Sequence, residues 1–197
     1  MRTERANLHD AQEITALHFS SGVDGILSKF EPIILEKFFY MPLLVDKKYT
    51  NWKVVANDGH ICGFISINDL RIKDRKLEFY LKRLVLVELL KKLAQQPIIV
   101  TYIINYLRSY FYSRRYLHLH KEVKYEIQIL IVEGKNQSLG VGSHLLGKFG
   151  LARDNGLSTV VQTQSKDALR FYEKFQFYQL KHFTVGSRHL WICRRDG

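Results

Sequence analysis

The chain has 197 residues, of which 46% are hydrophobic, 13% aromatic and only three proline, a composition that suits one folded domain and excludes a disordered polypeptide. Its net charge is +11, but residues 71–124 hold 13 Lys and Arg against 4 Asp and Glu, a net +9, while the other 143 residues net +2; the basicity is local, which points to a local anionic partner and away from a nucleic-acid-binding domain. The two cysteines, Cys62 and Cys193, lie in apolar strand-like runs and read as buried thiols of a reducing compartment, not as a disulfide framework.

In chain order, MRTERA reads as a first strand, and this polar start lacks the apolar stretch of a secretory signal. HDAQEITALHF reads as a helix, with His9 or Asp10 near its start and Ile14, Leu17 and His18 facing inward. ILSKFEPIILEKFFYMPLL is a second helical stretch, with Ser28 placed to cap it and Pro32 in its first turn. NWKVVA and HICGFISI then form a hairpin around the turn at residues 57–59.

Residues 71–124 carry two helical periodicities, one through Tyr80, Leu84, Val87, Leu90 and Ala94, the other from Pro97 through Ile99, Tyr102, Ile103, Tyr106, Leu107 and Tyr110. The most apolar stretch, residues 84–107, is broken by Glu88, Lys91, Lys92, Gln95, Gln96 and Pro97. It falls short of the roughly 18 uninterrupted apolar residues of a membrane span, so a soluble, cytoplasmic protein is expected. VKYEIQILIV is the next strand, followed by a glycine-bearing loop and a helix over 143–154 that Asn155 and Gly156 should stop. STVVQTQ is a strand, KDALRFYEKF a helix, and FYQLKHFTV and RHLWICRR two last strands. The order is that of one layered α/β domain over 1–197, with a basic two-helix insertion at 71–124.

The loop between VKYEIQILIV and its helix is built for an anion. The first amides of a helix have no internal partners, and the helix dipole adds positive potential there. A dinucleotide fingerprint needs a third glycine where Leu145 stands, and a Walker loop would need Ser or Thr where Phe149 stands. What fits is Q/R-x-x-G-x-G/A, met by Gln137, Gly140 and Gly142, with SKDALRFYEKFQF following about 25 residues later. These two segments resemble the paired signatures of the GNAT superfamily of acyl-CoA-dependent N-acyltransferases, the second through Ala168, Tyr172, Glu173, Lys174 and Phe177. Two positions depart from the pattern: Ser165 stands where asparagine is usual and Gln176 where glycine is usual.

The resemblance implies a mixed, mostly antiparallel central sheet flanked by helices, with the insertion between the third and fourth strands. It also implies acetyl-CoA or another acyl-CoA as cosubstrate, with no metal, and a primary amine as acceptor. Leu130 and Val132 would face the acyl and pantetheine arm. Gln137, Ser138, Leu139, Gly140, Val141, Gly142 and Ser143 would hold the pyrophosphate, with Ser165, Ala168 and Phe171 along the cofactor. Tyr172 stands at the position of the usual general acid, its alternative being a packing tyrosine. Glu126 stands where many members carry a glutamate base, its alternative being an edge carboxylate paired with a lysine; strand alternation would put it on one face with Gln128 and Leu130.

His118 and His120 lack a companion carboxylate or cysteine cluster and read as part of a solvated basic stretch. His144 falls near the expected phosphates, whereas His60, His182 and His189 fall on strands without recognisable partners. For 71–124 the readings are packing on the sheet, a roof over the acceptor, contact with an acidic membrane surface, or dimerisation. The N-terminal pattern with its basic insertion resembles a branch often associated with bacterial surface-polysaccharide genes, which favours an amino-sugar acceptor. A protein amine, or a non-catalytic acyl-CoA-binding module, are the alternatives.

Overall fold

A computed structural model describes residues 1–22, 27–72, 122–150, 158–185 and 188–196. All but the two ends of the expected insertion at 71–124 lie outside these residues, and so do His118, His120 and the expected helix stop at Asn155 and Gly156.

Strand β1 (Arg2–Arg5) leads through a short 3-10 turn into helix α1 (Ala11–Ser20). The entry is fixed by a reciprocal pair: the Asn7 side chain accepts from the His9 amide at 2.9 Å, and the Asp10 carboxylate accepts from the Asn7 amide at 2.8 Å. Ile14, Leu17 and His18 are buried, as their spacing predicts.

The second helical stretch is not the continuous helix that the sequence suggests. It divides into a 3-10 turn (Leu27–Lys29), α2 (Pro32–Leu35), a π-helical segment (Glu36–Tyr40) and α3 (Met41–Val45). Pro42 has no amide to donate one turn back, and the helix is widened immediately ahead of it. Ser28 lies inside the 3-10 turn, and the N-cap of α2 is Glu31; the Ser28 hydroxyl meets His18 Nε2 at 3.1 Å, while His18 Nδ1 lies 2.7 Å from the Tyr40 hydroxyl. Burial pushes the His18 imidazole down to about 4, so it ties α1 to the π-helical segment as a neutral ring.

The rest is β2 (Tyr49–Val55), β3 (Ile61–Asp69), β4 (Tyr125–Val132), α4 (Val141–Lys148), β5 (Thr159–Thr163), α5 (Lys166–Glu173), β6 (Tyr178–Val185) and β7 (Arg188–Arg195). The strands form one seven-stranded sheet in the order β1-β2-β3-β4-β5-β7-β6. Only β4 and β5 are parallel; every other neighbouring pair is antiparallel. One face packs Ile65, Ile67, Ile127 and Val161 under α4 and α5, with Leu145, Leu146 and Tyr172 among them. The other packs Phe64 and Ile131 against Ile14, Leu17, Leu35, Phe39 and Tyr40 of the N-terminal helices.

Helix α4 is shorter than expected and shifted towards the loop. It begins at Val141 and ends at Lys148, with Gly150 at φ +85° just beyond. In the turn after α5, Gln176, which stands where glycine is usual, has a φ of +64°. A left-handed conformation costs a non-glycine residue roughly 1–2 kcal/mol. Gln176→Gly is therefore expected to raise stability by about 1 kcal/mol, after the entropy that glycine adds to the unfolded chain; urea denaturation measures it, and an unchanged or lower midpoint contradicts it.

Candidate active site

Strands β4 and β5 pair at only three positions, Tyr125↔Thr159, Glu126↔Val160 and Ile127↔Val161. β4 then continues to Val132 and β5 to Thr163 without pairing further with each other. Between them lies a wedge lined by main chain. The Glu133 amide bonds the Cys62 carbonyl on the β3 side at 3.0 Å. Amides alternate in direction along a strand, so those of Leu130 and Val132 turn towards the wedge.

A bulge sets which side chains share that side. Ser66 pairs with Ile129 and Ile67 with Ile127, which leaves Gln128 as the extra residue. Simple alternation across 126–130 therefore fails. Ile127 shares the α4–α5 face with Leu130 and Val132, whereas Ile129 and Ile131 pack towards the N-terminal helices. Glu126 lies on the latter side, separated from Leu130. It is 4% exposed and accepts from Asn68 Nδ2 at 3.3 Å and Gln162 Nε2 at 2.9 Å.

The wedge opens onto the loop before α4. Ser138 at φ +65° and Gly140 at φ +84° both adopt the left-handed conformation. Gly140 is the N-cap of α4, and no side chain among the described residues caps the helix start. The His144 amide closes back on the Gly140 carbonyl at 2.9 Å, so the amides of Val141, Gly142 and Ser143 precede that bond and have no intrahelical acceptor. Alternating left- and right-handed residues turn such amides to one side, a cradle suited to an anion. An open depression of about 780 Å³ runs from Gly140 past Ser143, His144 and Gly147 to Lys148, Phe149 and Gly150.

The two signature glycines have different reasons. Around Gly140 there is open space, and its conformation is what excludes other residues. At Gly142 a Cβ would meet the Phe171 ring at 3.1 Å and Val132 Cγ2 at 3.8 Å, so the missing side chain lets β4, α4 and α5 converge. Leu139 is 65% exposed, and Gln137 and Ser138 are also exposed. The Gln137 side-chain amide donates to the Ser21 carbonyl at 3.1 Å and the Val132 carbonyl at 3.3 Å, bracing the loop.

On α5, the Ser165 hydroxyl caps the helix by accepting from the Ala168 amide at 3.3 Å. The shorter arm expected to reach the cofactor thus holds a helix start. Ala168 and Phe171 pack against the core below α4. Tyr172 is 5% exposed, its ring against Phe171 and Phe177. Burial pushes its phenol well above the usual range, helped by Cys193, so it keeps its proton.

Three histidines without partners in the sequence have them in space. His182, His189 and Trp191 cluster on the last hairpin, each pair of rings within 5.5 Å, with a 2.9 Å contact between the two imidazoles. His60, at the start of β3, reaches Asp58 in the hairpin turn and Glu133 Oε2 at 3.0 Å. Glu133 also accepts from Asn136 Nδ2 at 2.6 Å, so this network anchors the loop that leads to Gly140. The Glu133 hydrogen bond and then the one to Asp58 raise the His60 imidazole above its usual value. A raised folded-state value stabilises fully below the unfolded one, near pH 6.5, and the gain is lost as pH rises through the folded one. The melting-temperature advantage of the wild type over His60→Gln should therefore be largest near pH 6 and shrink towards pH 8; a pH-independent difference contradicts this.

Among the described residues, no three His, Cys, Asp or Glu are grouped to hold a metal ion, and no helix is long and apolar enough to cross a membrane.

No family model matches this sequence, and no curated protein matches it. Solved structures do. A polyamine N-acetyltransferase of Drosophila melanogaster superposes with a TM-score of 0.66 at 9% identity, over 100% of this chain and 99% of its own. Arylalkylamine N-acetyltransferase 2 of Aedes aegypti gives 0.64 at 16% identity, over 99% and 98%. An acetyltransferase of the GNAT family from Desulfovibrio desulfuricans gives 0.60 at 14% identity, again over 99% and 98%. The likeness is one of architecture and extends over the whole chain: this protein has the fold of the GNAT-family acetyltransferases.

Proposed function

We propose that the protein is an N-acyltransferase that moves an acetyl or other acyl group from acyl-CoA to a primary amine by direct transfer in a ternary complex. The observation that carries this reading is the wedge between β4 and β5, which ends at the uncapped start of α4. Acyl-CoA is a diphosphate joined to a slender thioester arm. The amides of Val141, Gly142 and Ser143 suit the diphosphate, and the wedge suits the arm, with Gly142 admitting the close approach of the walls. The amides of Leu130 and Val132 face the wedge, where one of them would bond the thioester oxygen and stabilise the charge that develops there.

Glu126 takes a proton from the acceptor ammonium. The neutral amine attacks the thioester carbonyl, the new C–N bond forms and the C–S bond breaks. Tyr172 gives its proton to the departing thiolate and regains one from the nitrogen, which becomes a neutral amide. The products are the amide, free CoA thiol and one proton, which Glu126 returns to solvent.

For the acceptor we favour an amino sugar, in particular a nucleotide-linked one. Segment 71–124 holds six of the eleven tyrosines and a net charge of +9, which suits an anionic, ring-bearing molecule. A protein amine docking on the same basic segment is the second candidate, and dimerisation or contact with an acidic membrane are its other roles. The cytoplasm, where thiols such as Cys62 and Cys193 stay free, fits these cosubstrates.

The test is calorimetric binding of acetyl-CoA, followed by thiol release with glucosamine, a nucleotide-linked amino sugar, spermidine, tyramine and an alanyl peptide. Binding with turnover is expected. Binding without turnover on any amine or acyl donor would make the protein an acyl-CoA-binding module, and absent binding would remove the reading altogether.

A further inference from the structure

Strand β3 is buried along almost its whole length, yet two polar residues interrupt its apolar run on the face towards the N-terminal helices. Ser66 and Asn68 are both 0% exposed. They follow Phe64 at the strand's two-residue alternation, and Phe64 packs in the cluster that holds Ile14, Leu35 and Tyr40. On β2, Asn51 stands directly opposite Ser66 and is 5% exposed. The three side chains form one polar row on that face.

Each of them has an atom without a hydrogen-bond partner among the described residues: Asn51 Oδ1, Ser66 Oγ and Asn68 Oδ1. The amide donors are committed elsewhere. Asn51 Nδ2 donates to the Leu43 carbonyl at 2.9 Å, and Asn68 Nδ2 to Glu126 Oε2 at 3.3 Å. A buried polar atom left unpaired costs stability, and an apolar side chain of similar size would avoid that cost. Three such atoms on neighbouring positions of two strands make a surface that wants a ligand. The row also leads to the wedge. Asn68 is opposite Glu126 across β3 and β4, and Gln162 Nε2 reaches Glu126 Oε1 at 2.9 Å from just beyond the last β4–β5 pair.

The three unpaired atoms are neutral. Two are amide oxygens, which only accept, and the third is a hydroxyl, which accepts or donates. Their complement is a set of neutral donors. An ammonium sunk among them would need a counter-charge that these side chains do not carry. An alkyl or aryl group would leave all three atoms unpaired. Hydroxyl groups fit, since each donates one hydrogen bond and brings no charge.

Resting on the acyltransferase reading, we propose that Asn51, Ser66 and Asn68 form an acceptor subsite that binds the hydroxyl groups of a polyhydroxylated amine and selects such amines over apolar or polycationic ones. The amino group lies at the Glu126 end, and the hydroxyl-bearing part extends along the row towards β2. A site built to bond hydroxyls rejects an analogue that lacks them, because its own buried groups then stay unpaired. This route to a sugar-like acceptor is independent of the charge of segment 71–124.

Ser66→Ala removes a hydroxyl that bonds no described residue, so its melting temperature is expected to equal or exceed that of the wild type. KM for glucosamine or the nucleotide-linked amino sugar, whichever is turned over, should rise about tenfold, the value of one hydrogen bond. Cyclohexylamine, a ring of similar size without hydroxyls, should be a poor substrate whose KM the variant leaves within about twofold. The calorimetric Kd for acetyl-CoA should not move. Ser66→Cys, which keeps the bulk and donates weakly, should fall between wild type and Ser66→Ala. An unchanged KM for the amino sugar, as when water alone fills the row, overturns the inference. So does an equal rise for both amines, or a wild type that acylates only cyclohexylamine, spermidine, tyramine or the alanyl peptide; each of these leaves the acyltransferase reading standing. A wild type that releases no thiol with any amine overturns that reading and this inference with it.

Discussion

Tyr172→Phe is expected to lower kcat by about 100-fold, the low end of what a positioned general acid contributes, and to leave acetyl-CoA affinity within about twofold. The expectation rests on the burial of the phenol and on what it lacks. Tyr172 sits among Phe171, Phe177 and Cys193, and no hydrogen bond ties its hydroxyl to a described residue. A hydroxyl that bonds no protein group contributes little to stability, so phenylalanine should pack in its place with the melting temperature nearly unchanged. Its phenol, pushed above its usual value by burial, keeps its proton at every ordinary pH. The proton is therefore available at the moment a thiolate forms beside it. No fall in kcat that depends on Tyr172 should appear as pH rises to about 9, since the group does not titrate there. An unaltered kcat in Tyr172→Phe would return the residue to the packing role that the sequence also allows.

Much of this architecture is legible in the sequence because it arises from short-range chemistry. The hairpin around Gly59, the apolar run of β4 and the left-handed positions at Gly140 and Gln176 are each set by a few neighbouring residues. The paired segments around Gly140 and Tyr172 point to the fold because the helices that carry them pack together on one face of the sheet. What escapes a reading of the chain depends on partners distant in sequence. The bulge at Gln128 arises from the register of β3, and it moves Glu126 to the opposite face from Leu130. The split in the second helical stretch could have been suspected from Pro42, but a widened turn at Glu36–Tyr40 is one of several ways to absorb a proline. Asn68 and Gln162 carry no motif at all; they meet Glu126 because three strands bring them together. Gly63 looks like any strand glycine until α4 is laid over it.

Gly63→Ala is expected to damage stability and cofactor binding together, although the residue touches neither substrate. A Cβ at Gly63 would stand 2.5 Å from Val141 Cγ1 and 3.2 Å from Leu145 Cδ1. Real Cβ atoms do not tolerate the first of these distances. Val141 is β-branched and 3% exposed, with one strongly preferred rotamer in a helix, so it cannot swing aside. Helix α4 must then lift from β3, at a cost of about 1–3 kcal/mol for overpacking. The same displacement shifts the amides of Val141, Gly142 and Ser143, which the proposed function assigns to the diphosphate. A few tenths of an ångström there should weaken acetyl-CoA binding about tenfold, by misaligning several charge-assisted hydrogen bonds at once. The decisive variant is the double one. Val141→Ala removes the clashing methyl, so Gly63→Ala with Val141→Ala should recover both affinity and much of the stability, with a coupling of about 1 kcal/mol or more in a double-mutant cycle. Additive losses, or a stability rescue without return of acetyl-CoA affinity, would mean that the start of α4 does not hold the cofactor.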